Sequence, residues 1–205
     1  MTARIEQVSS KDTNAWIIGD DEEVIVIDPG RDPAVVRGAV GDREVVAVIC
    51  THGHPDHVAA ALEVAAADEA PVALHPRDRL LWRDAYPQDD AEIEMADGGI
   101  FEIADVQLEV IHAPGHTPGS VCLYCEDLAA VMCGDVLAAD GLVTSEDGFS
   151  SFSLQISAIG EHVLTLPSGT RVLPGHGKEF TVAVAEKNFD SWIAAGPASA
   201  SDGQD

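Results

Sequence analysis

Short apolar runs alternate with polar segments along the chain and predict a layered α/β protein. Residues 14–19 and 24–28 are rich in β-branched side chains and flank an acidic turn, so they predict two neighbouring strands. Residues 33–40 begin with Pro33 directly after Asp32, a pair that is typical of a helix start. Residues 45–50 are continuously apolar, which predicts a strand covered on both faces.

The rest of the chain repeats this alternation, with no fixed-period repeat and no linker. Amphipathic or Ala-rich spacing predicts helices over residues 58–68, 77–86, 151–166 and 181–195. Short β-branched runs predict strands over residues 71–75, 92–95, 100–103, 106–112, 121–125, 129–133 and 171–173. We therefore expect one α/β domain over residues 1–195, followed by a disordered polar tail over residues 196–205.

Composition narrows the classes of partner. The 205 residues include 36 Asp and Glu against 11 Lys and Arg, a formal net charge of −25. Nucleic acids and anionic membranes are therefore not expected as partners, because both are bound mainly through Lys and Arg. No apolar run approaches the length of a membrane span, no secretory signal is visible, and four cysteines are too few for a disulfide scaffold. A cytoplasmic protein acting on a small molecule is the expectation.

Four of the predicted strands are each followed at once by a polar segment. The first segment, residues 51–57, reads THGHPDH, and the others contain His116, Asp135 and His176. Five of the eight histidines lie in these segments. Because strand ends converge at one edge of an α/β sheet, we expect these side chains to meet there.

The spacing of these residues fits two metal ions. His52 and His54 are two residues apart, so in an extended segment they point to the same side and can chelate one ion. Imidazole and carboxylate ligands suit Zn²⁺ and also Fe²⁺ or Mn²⁺. A catalytic ion with an open position needs at least three protein ligands. The candidate sets are His52, His54 and His116 (the first set) and Asp56, His57 and His176 (the second set), with Asp135 able to bridge the two ions.

Other potential ligands are interpreted as structural. His75, His112 and His162 each stand alone and are expected to be hydrogen-bonded framework residues. Cys122 and Cys125 have CxxC spacing but fall in a predicted strand, where residues three apart face opposite sides. No redox or zinc role is expected for them.

The motifs resemble those of a known family. THGHPDH, followed in order by APGHTPGS, GD and PGHG, resembles the metal motifs of the metallo-β-lactamase superfamily. The similarity runs from VIVIDPG at residues 24–30 to PGHG at residues 174–177. Within the superfamily the chain most resembles glyoxalase II-like hydrolases, the hydroxyacylglutathione hydrolase type. The resemblance implies a four-layer αββα sandwich in a single domain.

The resemblance also implies a chemistry. It implies two divalent ions, with zinc favoured, held by the first and second sets and bridged by Asp135 and a hydroxide. That hydroxide would attack the carbonyl of a thioester, with Asp56 as the catalytic residue that orients it. Asp28 matches a family acid that supports the metal loop from behind.

Two departures from the glyoxalase II pattern concern the substrate. Enzymes of that type have a C-terminal helical domain that helps to hold glutathione, whereas 29 residues follow His176 here. Basic residues that would bind the carboxylates of glutathione are also scarce. The thioester can therefore carry another small thiol or a carrier-bound acyl chain. Residues 136–150 are a candidate pocket wall.

Other activities of the same fold remain alternatives. A mononuclear iron persulfide dioxygenase would use fewer of the same ligands, and a lactonase or another ester hydrolase would use all of them. A true β-lactamase is disfavoured because those enzymes commonly have Cys where Asp135 stands. A nuclease is disfavoured by the net charge. The sequence predicts no particular oligomeric state.

Overall fold

Two six-stranded β-sheets lie face to face, with helices on their outer sides. The structure, a computed structural model, describes residues 2–145 and 148–196. The expected four-layer αββα sandwich in a single domain is confirmed.

The first sheet has the strand order β1-β2-β3-β4-β5-β6 and the second has β12-β11-β10-β9-β8-β7. The strands are β1 (Arg4–Ser10), β2 (Thr13–Gly19), β3 (Glu23–Ile27), β4 (Glu44–Ile49), β5 (Val72–Leu74), β6 (Ile93–Glu94), β7 (Ile100–Ile103), β8 (Val106–His112), β9 (Val121–Cys125), β10 (Ala130–Gly134), β11 (Arg171–Pro174) and β12 (Phe180–Thr181). The helices are α1 (Pro33–Val40), α2 (Pro55–Val58), α3 (Ala61–Ala66), α4 (Arg79–Ala85), α5 (Phe152–Ala158) and α6 (Val182–Ala195).

Side-chain alternation along the strands builds three apolar layers. In β4, Ile49 packs between the two sheets, whereas Val48 packs under the helices of the first sheet. In β9, Cys125 faces the inter-sheet core and Cys122 faces α5 and α6, as the period of two requires. β4 and β9 thus each have two apolar faces to bury, which explains their continuous apolar runs in the sequence.

The ends of parallel strands from both sheets open onto one rim. β3, β4 and β5 run parallel in the first sheet, and β10 runs parallel to β11 in the second. The loop after β4 meets the second sheet directly, because the Val121 amide donates to the Thr51 carbonyl over 2.9 Å. Across the same rim, the Asn14 amide donates to the Gly175 carbonyl over 2.7 Å. These bonds bring the polar segments of the two sheets together.

The helix predicted over residues 58–68 is wrong in its bounds. It starts earlier, at Pro55, and is divided into α2 and α3. The division occurs where the Ala60 amide donates to the Gly30 carbonyl over 2.8 Å, outside the helix. A contact between distant segments thus replaces an intrahelical bond, which local pattern cannot reveal.

The helix predicted over residues 151–166 also differs. α5 ends at Ala158 and continues as a π-helical turn, Ile159–Val163, in which the Leu164 amide donates to the Ile159 carbonyl over 2.9 Å. The hydrophobic pattern gives no bounds for β1. Its apolar residues Ile5 and Val8 are three apart and pack into different layers, so they form no apolar run. The remaining predicted elements agree to within a few residues.

The predicted disordered tail falls, from residue 197 on, outside the described residues. Within the described part of the chain, no helix combines the length and apolar character needed to cross a bilayer. The cytoplasmic location stays a prediction.

Candidate metal centre

The predicted ligands of both sets converge on the rim. The first set, His52, His54 and His116, offers three nitrogen atoms that all lie within 4.8 Å of one another. The second set, Asp56, His57 and His176, meets the same limit. The structure therefore brings together all the candidates that the spacing identified.

Hydrogen bonds orient the rings of the first set from behind. Nδ1 of His52 lies 3.1 Å from the Thr51 hydroxyl, and Nδ1 of His116 donates to the Val143 carbonyl over 3.0 Å. Nδ1 of His54 lies 3.0 Å from Nε2 of His116. The outward-facing nitrogens of His52 and His116 are thus fixed by partners behind the rings, whereas the contact of His54 runs to His116 within the set.

The second set is fixed in a similar way. Nδ1 of His57 lies 3.0 Å from Asp28 Oδ2, and both side chains are fully buried. Nε2 of His176 lies 3.5 Å from Asp56 Oδ2, at the partly exposed side of the cluster. Nε2 of His57 therefore points towards the Asp56–His176 pair.

Asp135 lies between the two sets. One carboxylate oxygen, Oδ1, is 2.8 Å from His176 Nδ1. The other, Oδ2, is 3.4 Å from His57 Nε2 and 3.7 Å from His116 Nε2. This buried carboxylate contacts both sets, which is what a bridging ligand requires.

Two features of the cluster fit a bound cation. Nε2 of His52 and Nε2 of His57 are buried, and neither has a hydrogen-bond partner among the described residues. Buried polar atoms are rarely left unpaired, so a bound cation is expected to be the partner of these two nitrogens. The donors are all imidazole nitrogens and carboxylate oxygens, which suit zinc, iron and manganese.

The protonation of the rings divides along the same lines. Burial lowers the pKa of His116 to about 4 and that of His52 well below its usual range. Hydrogen bonds to Asp135 and Asp56 raise the pKa of His176 to about 9. Burial opposes protonation of His57, but the Asp135 and Asp28 carboxylates outweigh it and raise its pKa. Neutral His52 and His116 are ready to bind a metal, whereas His57 and His176 must each lose a proton before they can do so.

Asp56 stays ionised in this environment. Burial acts to raise the pKa of Asp56, but the hydrogen bond with His176 and the charge of His57 lower it to about 2. At neutral pH the side chain can therefore accept hydrogen bonds, but it is a weak proton acceptor.

Asp28 supports the loop after β4, as the resemblance implied. Its carboxylate accepts hydrogen bonds from the amide and the hydroxyl of Thr51, both over 2.7 Å, besides contacting His57. Its backbone is in the left-handed region, with φ of 49°. Asp tolerates that region better than most residues, so the strain is modest.

Three buried polar residues of the centre escaped sequence reasoning. Asn14 donates from Nδ2 to the carbonyls of Pro174 and Gly177, on either side of His176. Gln155 donates from Nε2 to the Val143 carbonyl that also accepts from His116. Asp78 accepts hydrogen bonds from the amide of Gly53, in the loop after β4, and from the amide of Gly119, in the loop after β8. Their partners are 12 to 163 residues away, so no local motif indicates them.

A cavity of about 760 Å³ opens over the cluster. Asp56, His54 and His176 form part of its floor. As the sequence indicated, the segment after Asp135 supplies one wall, and α4 supplies another. The wall residues outside the two sets are Leu81, Asp84, Val143, Thr144, Ser145 and Phe149.

The histidines expected to be structural lie outside this centre. His75 is buried, and its ring stacks on His112 with 4.3 Å between ring centroids. His112 in turn contacts the Pro118 carbonyl over 2.9 Å. Neither residue, nor His162, belongs to a metal-competent group among the described residues.

Comparison with known proteins agrees with this picture. Residues 11–176 match the profile of the metallo-β-lactamase superfamily. The chain is 30% identical over 183 residues to the probable metallo-hydrolase YqgX of Bacillus subtilis, covering 82% of this chain and 87% of that protein. It is 26% identical over 204 residues to the hydroxyacylglutathione hydrolase GloC of Haemophilus influenzae, covering 92% and 96%.

Solved structures have the same fold. The B3 metallo-β-lactamase BLEG-1 superposes with a TM-score of 0.82 at 26% identity, covering 90% of this chain and 97% of that one. The protein TTHA1623, solved in a di-iron-bound form, superposes with a TM-score of 0.78 at 26% identity, with the same coverage. The similarity of fold therefore extends over about nine-tenths of this chain.

Proposed function

Because this chain belongs to the metallo-β-lactamase superfamily, we propose that it is a dinuclear metal-dependent hydrolase of small-thiol thioesters. The observation that carries the proposal is the pair of three-residue sets that meet at Asp135 beneath an open cavity. Family membership and the His/Asp cluster already imply a divalent metal. The number of ions and their identity belong to the proposal.

The first set would hold one ion, the second set would hold another, and Asp135 would contact both. Zinc is the proposed metal, since imidazole and carboxylate ligands suit it. When bound, such ions supply a Lewis acid for a carbonyl and lower the pKa of water towards about 7. The di-iron form of TTHA1623 keeps iron as the alternative.

The cavity residues favour a thioester over an amide. Among the described lining residues outside the two sets and Asp135, no His, Lys, Tyr or Cys is present to protonate a leaving amine, and Asp84 is the one titratable side chain. A thiol has a pKa of about 8.5, so it can leave as the anion without a dedicated acid. GloC, by its name, hydrolyses such a glutathione thioester, which supports this reaction class.

Asp56 is the proposed catalytic residue. It lines the cavity, and its side chain is about one-third exposed, unlike the buried His57 beside it. An ionised carboxylate there can accept a hydrogen bond from the attacking water and so fix its orientation. This role needs a position rather than strong basicity.

Glutathione itself is not the proposed thiol. The described lining residues include Asp84 and no Lys or Arg that could bind its carboxylates. The arginines of α4 are engaged elsewhere, with Arg79 2.6 Å from Glu94 and Arg83 2.7 Å from Asp90. We propose a carrier thiol that is uncharged or cationic near the sulfur.

The test begins with metal content. Chain purified without added ions is expected to contain about two zinc ions by mass spectrometry, and to hydrolyse uncharged acyl thioesters. His54→Ala should lose the metal of the first set and the turnover, whereas His162→Ala, a histidine outside the cluster, should keep both.

Other outcomes would overturn the proposal. One iron per chain, with oxygen uptake on a persulfide substrate, would favour the dioxygenase. Two metals with turnover of lactones or β-lactams but not of thioesters would keep the centre and replace the substrate. The resemblance to BLEG-1 makes the β-lactam assay a necessary parallel.

A further inference from the structure

A buried carboxylate, that of Asp78, joins the two loops that contain the first set. Its Oδ2 accepts from the Gly53 amide over 2.9 Å and from the Thr117 hydroxyl over 2.6 Å. Its Oδ1 accepts from the Gly119 amide over 2.6 Å. Gly53 separates His52 from His54, and Thr117 directly follows His116. One side chain thus sets the distance between the loop with two of these histidines and the loop with the third.

Asp78 does not play the usual part of an aspartate at its position. It is the residue directly before α4, where an Asp side chain ordinarily accepts from an amide of the first helical turn. Here the side chain makes no such bond. The carboxylate is instead fully buried and directed to the two loops. A role in capping the helix therefore does not explain it.

The packing around Asp78 explains two glycines of the motifs. A Cβ at Gly119 would lie 2.6 Å from the Asp78 carboxyl carbon, and a Cβ at Gly53 would lie 2.8 Å from the Asp78 carbonyl oxygen. Both distances are too short for any other residue. Glycine in HGH and glycine in TPGS are thus required for both loops to approach the same aspartate.

The burial of an anion without a cationic partner calls for a reason. Among the described residues, no Lys or Arg forms an ion pair with Asp78. Hydrogen bonds from two amides and one hydroxyl offset part of the desolvation cost, and an apolar side chain in its place would leave these three buried donors unpaired. The geometry that the carboxylate imposes on the two loops is what an apolar side chain could not supply.

We propose that Asp78 is a positioning residue for the first metal, acting by holding the loop of His52 and His54 at a fixed distance from His116. The inference rests on the metal centre proposed above. The effect of Asp78 is expected on metal binding by the first set and not by the second. None of the side-chain hydrogen bonds of Asp78 reaches a residue of the second set.

The variant Asp78→Asn separates this role from simple space filling. It keeps the shape, but its amide has one acceptor oxygen in place of two. Whichever way the amide turns, an NH₂ group faces the amide of Gly53 or that of Gly119, and one loop loses its bond. The two loops can then shift relative to each other.

The experiment measures zinc affinity in full-length variants that each retain one set. His176→Ala keeps the first set, and His54→Ala keeps the second. Zinc is titrated in competition with a chromophoric chelator. Adding Asp78→Asn is expected to raise the zinc Kd on the order of 10-fold or more in the His176→Ala background, and by less than about 3-fold in the His54→Ala background. Asp32→Asn, at a helix start where the Asp does accept from Val35, is the matched control and should change neither.

Equal weakening in both backgrounds would overturn the proposal, because it would show a general loss of structure. An unchanged Kd in the His176→Ala background would overturn it as well. Should Asp78→Asn fail to fold, Thr117→Val removes one of the three donors and should weaken the first set alone, by a smaller factor. Parents that bind no zinc would overturn the metal centre together with Asp78, whereas an unsubstituted chain that binds zinc without hydrolysing thioesters would overturn only the proposed reaction.

Discussion

At the scale of the residue, the carboxylate of Asp28 contacts the His57 ring on the side away from the cluster and so orients this candidate ligand. Asp28 contacts Thr51 and His57, and its left-handed backbone directs it to both. Ligand histidines commonly depend on such partners for tautomer and orientation. Because Asn has nearly the same shape as Asp, replacing Asp28 by Asn removes the carboxylate without disturbing the backbone.

We predict that Asp28→Asn weakens metal binding by the second set by about 10–100-fold. Asn tolerates the left-handed conformation, but it offers one acceptor where Thr51 and His57 together need two. Zinc titration in the His54→Ala background measures the effect. A Kd within 2-fold of the parent would show that His57 holds its orientation without the carboxylate.

A second prediction at this scale concerns His75, which lies outside the centre. Burial and the neighbouring His112 lower the pKa of His75 to about 4, whereas the unfolded chain has a value of about 6.5. Between these values the unfolded state binds a proton that the folded state refuses, so stability falls as the pH drops from about 6.5 to 4. Above pH 7 the group contributes no pH dependence.

His75→Gln should therefore flatten the stability profile in that window alone, by at most about 1.4 kcal/mol per pH unit. Urea unfolding of both proteins, with metal removed by chelator, measures the difference. Parallel profiles between pH 5 and 6.5 would show that His75 protonates freely in the folded state.

The first candidate metal ligands could be predicted from the sequence because they cluster. Three His and one Asp within residues 52–57 make a dense, locally visible signal. The residues behind them could not, because Asp78 has the local appearance of a helix cap and Gln155 that of an ordinary helix residue. Their roles come from partners that only the folded chain brings near.

At the scale of the element, α4 combines two functions on one short helix. Leu81 and Asp84 face the cavity, whereas Arg79 and Arg83 form ion pairs on the surface. Arg79 and Arg83 each have a carboxylate partner on the surface, so neither is placed to bind a substrate in the cavity.

We predict that Asp84→Lys raises kcat/KM for a glutathione thioester several-fold and lowers it for a cationic thioester. The change places a positive charge on the cavity wall, where it can attract a carboxylate. Steady-state kinetics at low and at 0.5 M salt measure it, and the effect should shrink with salt because the site is open.

Asp42→Lys, an exposed position outside the cavity, makes the same change in net charge and is the control. An equal gain in both variants would assign the effect to overall charge. No gain in either would argue against charge selection by this wall.

Element bounds show where local pattern stops being sufficient. Strands such as β4 were predicted to within one residue, because a buried strand has an unmistakable apolar run. The helix after the first motif was not, since Ala-rich sequence allows a continuous helix while the bond from Ala60 to Gly30 divides it. Tertiary contacts fix what propensity leaves undetermined.

At the scale of the whole molecule, the net charge of −25 contrasts with a metal centre that needs only a few acidic groups. Ion pairs such as Arg37 with Asp68, 2.6 Å apart, use several of the basic side chains. Most acidic residues therefore have no cation to pair with, and they repel one another more strongly in the compact folded state than in the expanded unfolded chain.

This repulsion predicts that salt stabilises the protein. The screening length is about 10 Å at 0.1 M and about 3 Å at 1 M ionic strength. The melting temperature should therefore rise steeply with the first additions of salt and then level off. Each kcal/mol of repulsion removed corresponds to roughly 2–4 °C for a chain of this size. Thermal unfolding of the metal-saturated protein, in sodium chloride and in choline chloride at equal ionic strength, measures it. Equal curves in the two salts are expected, because screening depends on ionic strength, whereas stabilisation by sodium alone would point to specific cation binding and contradict the repulsion argument.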